Sequence, residues 1–288
     1  PVLSEVVGFK DDKILLSWNG LIIAALSRAG KVFENYSYIE SAERTVRFIE
    51  KYLFQNGRAM VRFRAGETKE KGFLDEYAFY LWGLLELFQA TLKNQYLKKA
   101  KKIADNMIEL FWDEKAGGFF FTGSDQEEIL VRQKESYDGA LPSGNSVAAM
   151  QLLKLGKLTG DFTYEEKVEK IFQTFGRDLH TYPNGHAMML QALIMSRHPS
   201  KEVVVLLGDE DKEVEKLLNP LRTNFNPNLT LLVGNGRDLA EVAPFTIDFK
   251  TINGKTTYYV CENFQCHQPV TDVNQALELI SNNAKKEE

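Results

Sequence analysis

The sequence predicts a mainly α-helical protein, part of an α/α toroid, with a small α/β appendage at the C-terminal end. Two observations support this class. Segments that are apolar nearly all round alternate along the chain with segments that carry a single apolar stripe. After residue 200 the helical period gives way to a β-α-β pattern. We therefore expect an α-hairpin toroid region over 1–200 and a small α/β segment over 201–288.

Three segments have the pattern of outer helices, because each has one apolar stripe and a charged remainder. They lie around the stripes at 39–53, 96–110 and 164–179. Four segments between and beside them carry few charges and must be covered on all sides. These predicted inner helices span 14–29, 74–92, 145–158 and 186–195. Alternating inner and outer helices form α-hairpins, which close into a toroid; a helical bundle or a superhelix of hairpins is the alternative.

Strands are predicted at two places between the helices, over 58–64 and 117–122. In the first, Arg62 and Arg64 alternate around an aromatic residue, so they could serve an anionic group or simply be solvated. The appendage is predicted as a strand over 202–208, a helix over 211–221 and a strand over 230–234. A hairpin pairs 245–252 with 255–260 around Asn253-Gly254. A helix over 272–280 capped by Thr271 and a polar tail over 282–288 follow.

The composition restricts the function classes. The chain has 288 residues, a formal net charge of -5 and 44% hydrophobic residues, which is typical of a soluble globular protein. No basic stripe favours nucleic acid, no apolar run is long enough for a bilayer, and no nucleotide fingerprint follows Gly208, so we expect no nucleic-acid or membrane partner and no cofactor. The start shows no signal-peptide pattern, which favours a cytoplasmic protein.

The two cysteines form the one metal-like cluster of the sequence. Cys261 and Cys266 are followed directly by His267, but no second group of Cys or His ligands accompanies them. Zinc is therefore the minor alternative, and reduced structural cysteines are expected. We predict no metal site.

Polar residues stand where the inner helices begin. Antiparallel hairpins make the inner helices run in one direction, so their N-termini gather on one rim, where free N–H groups favour hydroxyl-rich or anionic ligands. The candidate catalytic residues are Asp75, Glu76, Asp138 and His186. The candidate substrate-binding residues are Trp18, Asn19, Tyr77, Tyr137, Ser143 and Asn145.

Aromatic rings beside carboxylates suit a sugar, because the apolar face of the sugar stacks while its hydroxyls form hydrogen bonds. Two carboxyls could hydrolyse a glycosidic bond, whereas a histidine could move a proton next to a carbonyl, as sugar epimerisation requires. The structural alternative is equally concrete. Ser143, Asn145 and Asp75 are good N-cap residues, His186 could be a cap, and Trp18 and Tyr77 could be core aromatics.

Several motifs in order resemble those of a known family. They are Ser17-Trp18-Asn19-Gly20-Leu21, Phe73-Leu74-Asp75-Glu76-Tyr77-Ala78, Phe111-Trp112-Asp113 with Gly117-Gly118-Phe119, Tyr137-Asp138-Gly139 with Pro142-Ser143-Gly144-Asn145-Ser146, and Tyr259-Val260-Cys261 with Cys266. This series is similar to the C-terminal half of the YyaL-like, spermatogenesis-associated thioredoxin-domain proteins.

The resemblance implies a longer protein with an N-terminal thioredoxin-like domain and an α/α toroid like those of six-hairpin glycosidases and sugar 2-epimerases. It supplies no catalytic position, and fold analogy alone is a weak basis for function. Two hypotheses follow. The domain is carbohydrate-acting, as a glycosidase or a sugar epimerase, or it is a non-catalytic domain that binds a ligand or protein and works with the redox module.

Overall fold

The computed structural model describes residues 11–126, 131–209, 214–224 and 226–281. Its first part consists of seven long helices. The inner helices are α1 (Leu16–Val32), α3 (Leu74–Thr91), α5 (Gly144–Thr159) and α7 (Ala187–Arg197). The outer helices are α2 (Tyr36–Tyr52), α4 (Asn94–Phe111) and α6 (Thr163–Thr181).

The packing of these helices gives the architecture. Inner helices pack side by side in the order α1, α3, α5 and α7, and each of the first three also packs against the outer helix that follows it. Burial explains the sequence pattern, since α5 is buried on every side over its first ten residues while α2 buries only a stripe. The predicted fold class, part of an α/α toroid, is confirmed.

Helices α1 and α3 meet backbone to backbone. A Cβ atom added at Gly20 would lie 2.6 Å from the carbonyl carbon of Phe79, and one added at Gly83 would lie 2.7 Å from the carbonyl oxygen of Gly20. Real Cβ atoms do not come this close to backbone, so both positions require glycine. The crossing aligns the start of α1 with the start of α3.

The connections at the two ends of the helices differ in length. At the C-terminal ends of the inner helices the chain turns in two or three residues. At their N-terminal ends the connections are longer: they comprise residues 53–73 before α3, 112–143 before α5 and 182–186 before α7. The first of these contains most of a small antiparallel sheet. The strands of that sheet are β1 (Ile14–Leu15), β2 (Phe54–Gln55), β3 (Arg58–Arg64) and β4 (Glu67–Lys71). The predicted strand over 58–64 is thus confirmed.

The predicted strand over 117–122 is wrong. Gly117 and Gly118 both have φ near +73°, which is left-handed backbone that interrupts an extended run. A single bridge between Trp112 and Phe119 is the only strand-like pairing of this stretch among the described residues. The aromatic residues are instead packed in a loop that leads towards α5.

The C-terminal part is a four-stranded sheet with helices. Its elements are β5 (Lys201–Leu206), α8 (Val214–Thr223), β6 (Leu229–Gly234), α9 (Gly236–Val242), β7 (Thr257–Glu262), β8 (Gln265–Cys266) and α10 (Val273–Ser281). The strand order is β6-β5-β7-β8, with β5 parallel to β6 and antiparallel to β7. The predicted β-α-β unit is confirmed, although residues 211–213 of its helix lie outside the described residues.

Two details of this part were predicted wrongly. Residues 245–252 form no strand; they hold the 3-10 turn Pro244–Thr246 and one bridge from Ile252 to Lys255. The predicted tight turn between Ile252 and Lys255 is present, with φ of 52° at Asn253 and 70° at Gly254. The last helix is capped by Asp272, whose Oδ1 accepts from the amides of residues 274 and 275, and not by Thr271. The predicted tail over 282–288 lies outside the described residues.

The cysteines are not reduced. Cys261 and Cys266 are paired across β7 and β8 and form a disulfide. A joined pair leaves neither sulfur free as a thiolate ligand, so the zinc alternative loses its two sulfur ligands.

The C-terminal part packs at one end of the helices. Helix α8 contacts α1, α9 contacts α4, and β6 contacts α5. The Gln89 amide near the end of α3 donates to the Leu231 carbonyl at 3.4 Å. The α/β part therefore covers the C-terminal ends of the inner helices and leaves the opposite rim to the long loops. Within the described ranges, no helix combines the length and apolarity needed to cross a bilayer.

Candidate functional site

Asp138 joins the beginnings of two inner helices. Its Oδ1 accepts from the Ser143 amide at 2.9 Å, ahead of α5. Its Oδ2 accepts from the amides of Met188 and Met189, at 2.8 and 3.2 Å, in the first turn of α7. Backbone N–H groups at a helix start have no intrahelical partner, and a carboxylate is the acceptor best suited to them. Asp138 thus fixes α5 and α7 relative to each other at the rim.

Asp75 lies in the first turn of α3, against the start of α5. The Gly144 amide donates to its carboxylate, and a Cβ atom at residue 144 would lie 2.5 Å from Asp75 Oδ1. Burial, followed by the charges of Glu76 and Glu135, raises the pKa of Asp75 to about 7 against the opposing effect of that amide. The side chain of Asp75 is partly buried.

Glu76 is bound inside the rim. It is 5% exposed, and its Oε2 accepts from the Phe73 amide at 2.8 Å, closing the first turn of α3. Burial raises the pKa of Glu76, although the Phe73 amide, the Ser17 hydroxyl and Arg58 act in the opposite direction. The carboxyl is thus held by α3 itself and by α1.

His186 is the N-cap residue of α7 and is 5% exposed. Its Nδ1 lies 2.9 Å from the Tyr182 carbonyl oxygen, and its Nε2 lies 3.2 Å from the Ser136 hydroxyl. Tyr137 covers it edge to face, with ring centres 6.5 Å apart. Both ring nitrogens are therefore engaged.

Two candidate aromatic residues are open to solvent. Trp18 on α1 is 59% exposed, and Tyr137 is 60% exposed. The Tyr137 ring lies parallel to that of Tyr182, with ring centres 6.5 Å apart. Exposed, ordered aromatic faces at a helix rim suit a stacking ligand.

Tyr77 and Asn145 have internal partners. Tyr77 is 1% exposed, and its hydroxyl accepts from Arg58 at 2.9 Å and from the Ala59 amide at 3.0 Å. Asn145 is completely buried; its Oδ1 accepts from the Phe119 amide, and its Nδ2 donates to the carbonyls of Phe119 and Glu135. These side chains hold the rim loops in place.

Ser143 and Asn19 also form local contacts. Ser143 caps α5 by accepting from the Ser146 amide at 3.1 Å, and its hydroxyl donates to that of Ser146 at 2.8 Å. Asn19 donates to the Leu15 carbonyl at 2.7 Å, within the first turn of α1. The capping role considered for Ser143 is therefore present.

The rim arginines are paired with carboxylates. Arg62 lies 3.2 Å from Glu70, and Arg64 lies 2.5 Å from Asp12. Both pairs are substantially solvated, so their contribution to stability is small.

Asp138 thus accepts from the Ser143 amide and Asp75 from the Gly144 amide, which are successive amides at the start of α5. His186 and Tyr137 lie beside Asp138. Trp18 and Asn19 lie on α1, at the other side of α3. The sequence candidates left out Glu135 as an acid or base, as well as Ser136 and Tyr182. The charge of Glu135 acts on Asp75 from 60 positions along the chain, and the sequence around Glu135 does not reveal this interaction. A cavity of ≈ 260 Å³ between α5, α6 and α7 lies elsewhere, near the start of β5.

No family model matches this chain. Spermatogenesis-associated protein 20 of Rattus norvegicus is 29% identical over 94% of this chain, and that of Homo sapiens is 30% identical over the same share. The chain is homologous to spermatogenesis-associated protein 20. It spans 36% of the length of these relatives, and the family resemblance predicted from the motifs is confirmed.

Among solved structures, a GH76 α-mannanase of Bacteroides thetaiotaomicron has a similar fold. The TM-score is 0.53 at 17% sequence identity, over 74% of this chain and 57% of the mannanase. At this identity the likeness concerns the fold alone. It confirms the α/α toroid architecture that the helix pattern predicts.

Proposed function

We propose that the rim of inner-helix N-termini binds a carbohydrate and that Asp75 donates a proton to it. The observation that carries this proposal is the position of Asp75 between the first turns of α3 and α5, with a pKa of about 7. Glycoside hydrolysis needs a carboxylic acid that keeps its proton at working pH and a second carboxylate that does not.

Glu135 is the proposed second carboxylate. It is exposed, and it lies close enough to Asp75 to contribute to that residue's raised pKa. Asp138 is less free for this role because its two oxygens accept from three backbone amides. In this proposal Asp75 is the acid, Glu135 the base or nucleophile, and Asp138 the residue that holds the geometry.

Exposed rings support the choice of a sugar as ligand. Trp18 and Tyr137 offer apolar faces, and the nearby carboxyls offer acceptors for hydroxyl groups. The mannanase with the similar fold is, by its name, an enzyme of α-mannan, so mannose-containing oligosaccharides are natural first probes.

Two other functions make different predictions. In an epimerase, His186 would act as the base, but its Nε2 is occupied by Ser136 in this structure. In a non-catalytic domain the rim would bind a ligand or protein on behalf of a thioredoxin-like module. The non-catalytic function is supported by the rim side chains, among them Asn145 and Ser143, that form hydrogen bonds with backbone groups of the protein itself.

The test is a panel of neutral oligosaccharides, including α-mannooligosaccharides, and sugar phosphates. Binding is measured by calorimetry. Hydrolysis is measured by the new reducing ends it produces, and epimerisation is measured by the deuterium that appears at C2 of the sugar in D2O. We expect Asp75→Asn to lower hydrolysis by about 100-fold or more while binding changes little. Asp178→Asn on the exposed face of α6 is the matched control and should have no effect.

Each outcome distinguishes the functions. Hydrolysis lost with Asp75→Asn and Glu135→Gln supports the proposal. Deuterium at C2 that depends on His186 identifies an epimerase. Binding without turnover favours the non-catalytic function, and a panel in which nothing binds rejects a carbohydrate site.

A further inference from the structure

The disulfide between Cys261 and Cys266 is a bond that a thiol can open, and the proposed rim site does not use it. The bridge joins strands β7 and β8, which form a hairpin with Asn263 and Phe264 as its turn. Strand β8 is the last strand of its sheet, in the order β6-β5-β7-β8. Among the described residues no further strand covers that edge. The outer side of β8 is therefore open to another molecule.

The two cysteines differ in exposure. Cys261 is 1% exposed and pairs with the buried Glu202 of β5, whereas Cys266 is exposed. Cys266 also lines an open cleft of ≈ 440 Å³. The other residues that line the cleft are polar residues of the hairpin and its exit: Glu262, Asn263, Gln265 and His267. Thiol–disulfide exchange requires that a thiolate reach one sulfur of the bridge. The cleft gives a thiolate this access from the side of Cys266.

The hairpin is held by contacts besides the bridge. The Phe264 amide donates to Glu202 Oε2 at 2.8 Å, and the Ser200 amide donates to Asn263 Oδ1 at 3.1 Å. The Phe264 ring packs edge to face on that of Phe162, with ring centres 5.1 Å apart. The sequence separation of the two cysteines is only 5, and a short loop gains less stability from a cross-link than a long one. We therefore expect the hairpin to keep its fold when the bridge is open.

We propose that the Cys261–Cys266 bridge exchanges with a dithiol and that Cys266 is the residue attacked. One thiolate of the dithiol forms a new S–S bond with Cys266, the bridge breaks, and Cys261 leaves as a thiolate that takes up a proton. The second thiol of the dithiol loses its proton and attacks the sulfur that the first has bound to Cys266. Cys266 then leaves as a thiolate and is protonated in turn.

The exchange is balanced. The dithiol is oxidised to a disulfide and gives up two electrons and two protons, and the protein gains both as two thiols. The reverse reaction restores the bridge. This inference concerns the C-terminal sheet and does not rest on the proposed carbohydrate function at the rim.

The first experiment treats the folded 288-residue chain with dithiothreitol, a small dithiol, or with reduced thioredoxin, a protein dithiol. Free thiols are alkylated and counted by mass spectrometry. The chain has two cysteines, so every thiol comes from this bridge. We expect both cysteines to be alkylated at a rate that stays constant at low urea concentrations, because the exchange does not require unfolding. A rate that rises in proportion to the unfolded fraction would overturn the proposal.

The same experiment distinguishes two sources of the dithiol. Faster reduction by thioredoxin than by dithiothreitol at equal concentration supports exchange with a protein. Faster reduction by dithiothreitol supports exchange with a small molecule. If neither dithiol reduces the folded chain, the bridge is not an exchange site.

The second experiment compares Cys261→Ser with Cys266→Ser, each of which keeps one thiol. In the folded proteins, Cys266 of the first variant should react with dithionitrobenzoate at least about 100-fold faster than Cys261 of the second, because a buried thiol reacts only after local opening. In concentrated urea the two rates should be equal, which is the matched control. Equal rates in the folded proteins would contradict the assignment of Cys266 as the residue attacked.

A variant without either cysteine tests whether the bridge is instead a structural cross-link. Cys261→Ser combined with Cys266→Ser should melt within about 5 °C of wild type, because the other contacts of the hairpin remain. A double variant that does not fold would show that the bridge stabilises the protein and would overturn the proposal. The reduction of the wild-type chain needs no substitution, so it tests the exchange even if a variant fails to fold.

Discussion

The Ser136 hydroxyl donates to His186 Nε2 at 3.2 Å, in a pair that is almost completely buried. The direction follows from the other ring nitrogen. Nδ1 faces the Tyr182 carbonyl, which can only accept, so Nδ1 carries the proton and Nε2 is the acceptor in the neutral ring. The imidazole thus ties the loop before α5 to the turn before α7.

His186→Ala should lower the free energy of unfolding by about 2 kcal/mol, because the buried Ser136 hydroxyl loses its partner. Urea unfolding measures the effect. The control is His198→Ala at an exposed position, which should cost less than about 0.5 kcal/mol. Equal effects of the two substitutions would show that the buried pair does not stabilise the rim.

The stability of the protein should depend on pH through Asp75. The folded-state pKa of about 7 exceeds the ordinary value of 3.8, so the folded protein binds this proton more tightly. The contribution of Asp75 to the free energy of unfolding therefore falls as pH rises from about 4 to about 7, by up to a few kcal/mol. Asp75→Asn should remove that fall, as measured by urea unfolding at pH 5 and pH 8.

Asp113 provides a control of opposite sign. Its hydrogen bond with Lys134 lowers the pKa of Asp113 to about 2. The stability that this carboxylate contributes is present above pH 4 and is lost as pH falls towards 2. Asp113→Asn should leave the change between pH 5 and pH 8 as in wild type. An Asp75→Asn protein with the wild-type pH profile would contradict the assignment.

Gly20→Ala should destabilise the protein by roughly 3 kcal/mol, because the new methyl group meets the Phe79 backbone, which cannot move aside alone. Gly176→Ala is the matched control. It lies inside α6 with no atom within 4 Å of the added Cβ, and it should stabilise the protein by about 0.5–1 kcal/mol. Thermal or urea unfolding tests both. A neutral Gly20→Ala variant would mean that α1 and α3 are not in close contact.

Asn145→Ala should cost about 3 kcal/mol, because the Phe119 amide and carbonyl and the Glu135 carbonyl lose a completely buried partner. Hydrogen exchange should accelerate at the amide of residue 119. Asn274→Ala, at an exposed position on α10, is the control. Unchanged exchange at residue 119 would indicate that the loop before α5 holds without Asn145.

The helices could be predicted because the spacing of apolar residues within each segment shows which faces of the helix are buried. The all-round apolar run at 145–158 became α5 at Gly144–Thr159, and the run at 74–92 became α3 at Leu74–Thr91. The wrongly predicted strand over 117–122 has a local cause. Its aromatic residues suggest a strand, but the left-handed backbone of Gly117 and Gly118 makes the segment a loop.

The rim is harder to predict because its contacts link distant parts of the chain. The pattern around Asp138 predicts that this residue lies before an inner helix. It does not predict that Asp138 caps α7, 50 positions later, because any acceptor could satisfy those amides. The raised pKa of Asp75 comes first from burial and then from the charges of Glu76 and of Glu135, which lies in another loop. The roles of these residues in binding or catalysis stay predictions.

The α/β part packs on the C-terminal ends of the inner helices, so the ends of these helices that stay accessible are their N-termini. A ligand of the proposed carbohydrate site therefore approaches from the side of the rim and not through the α/β part.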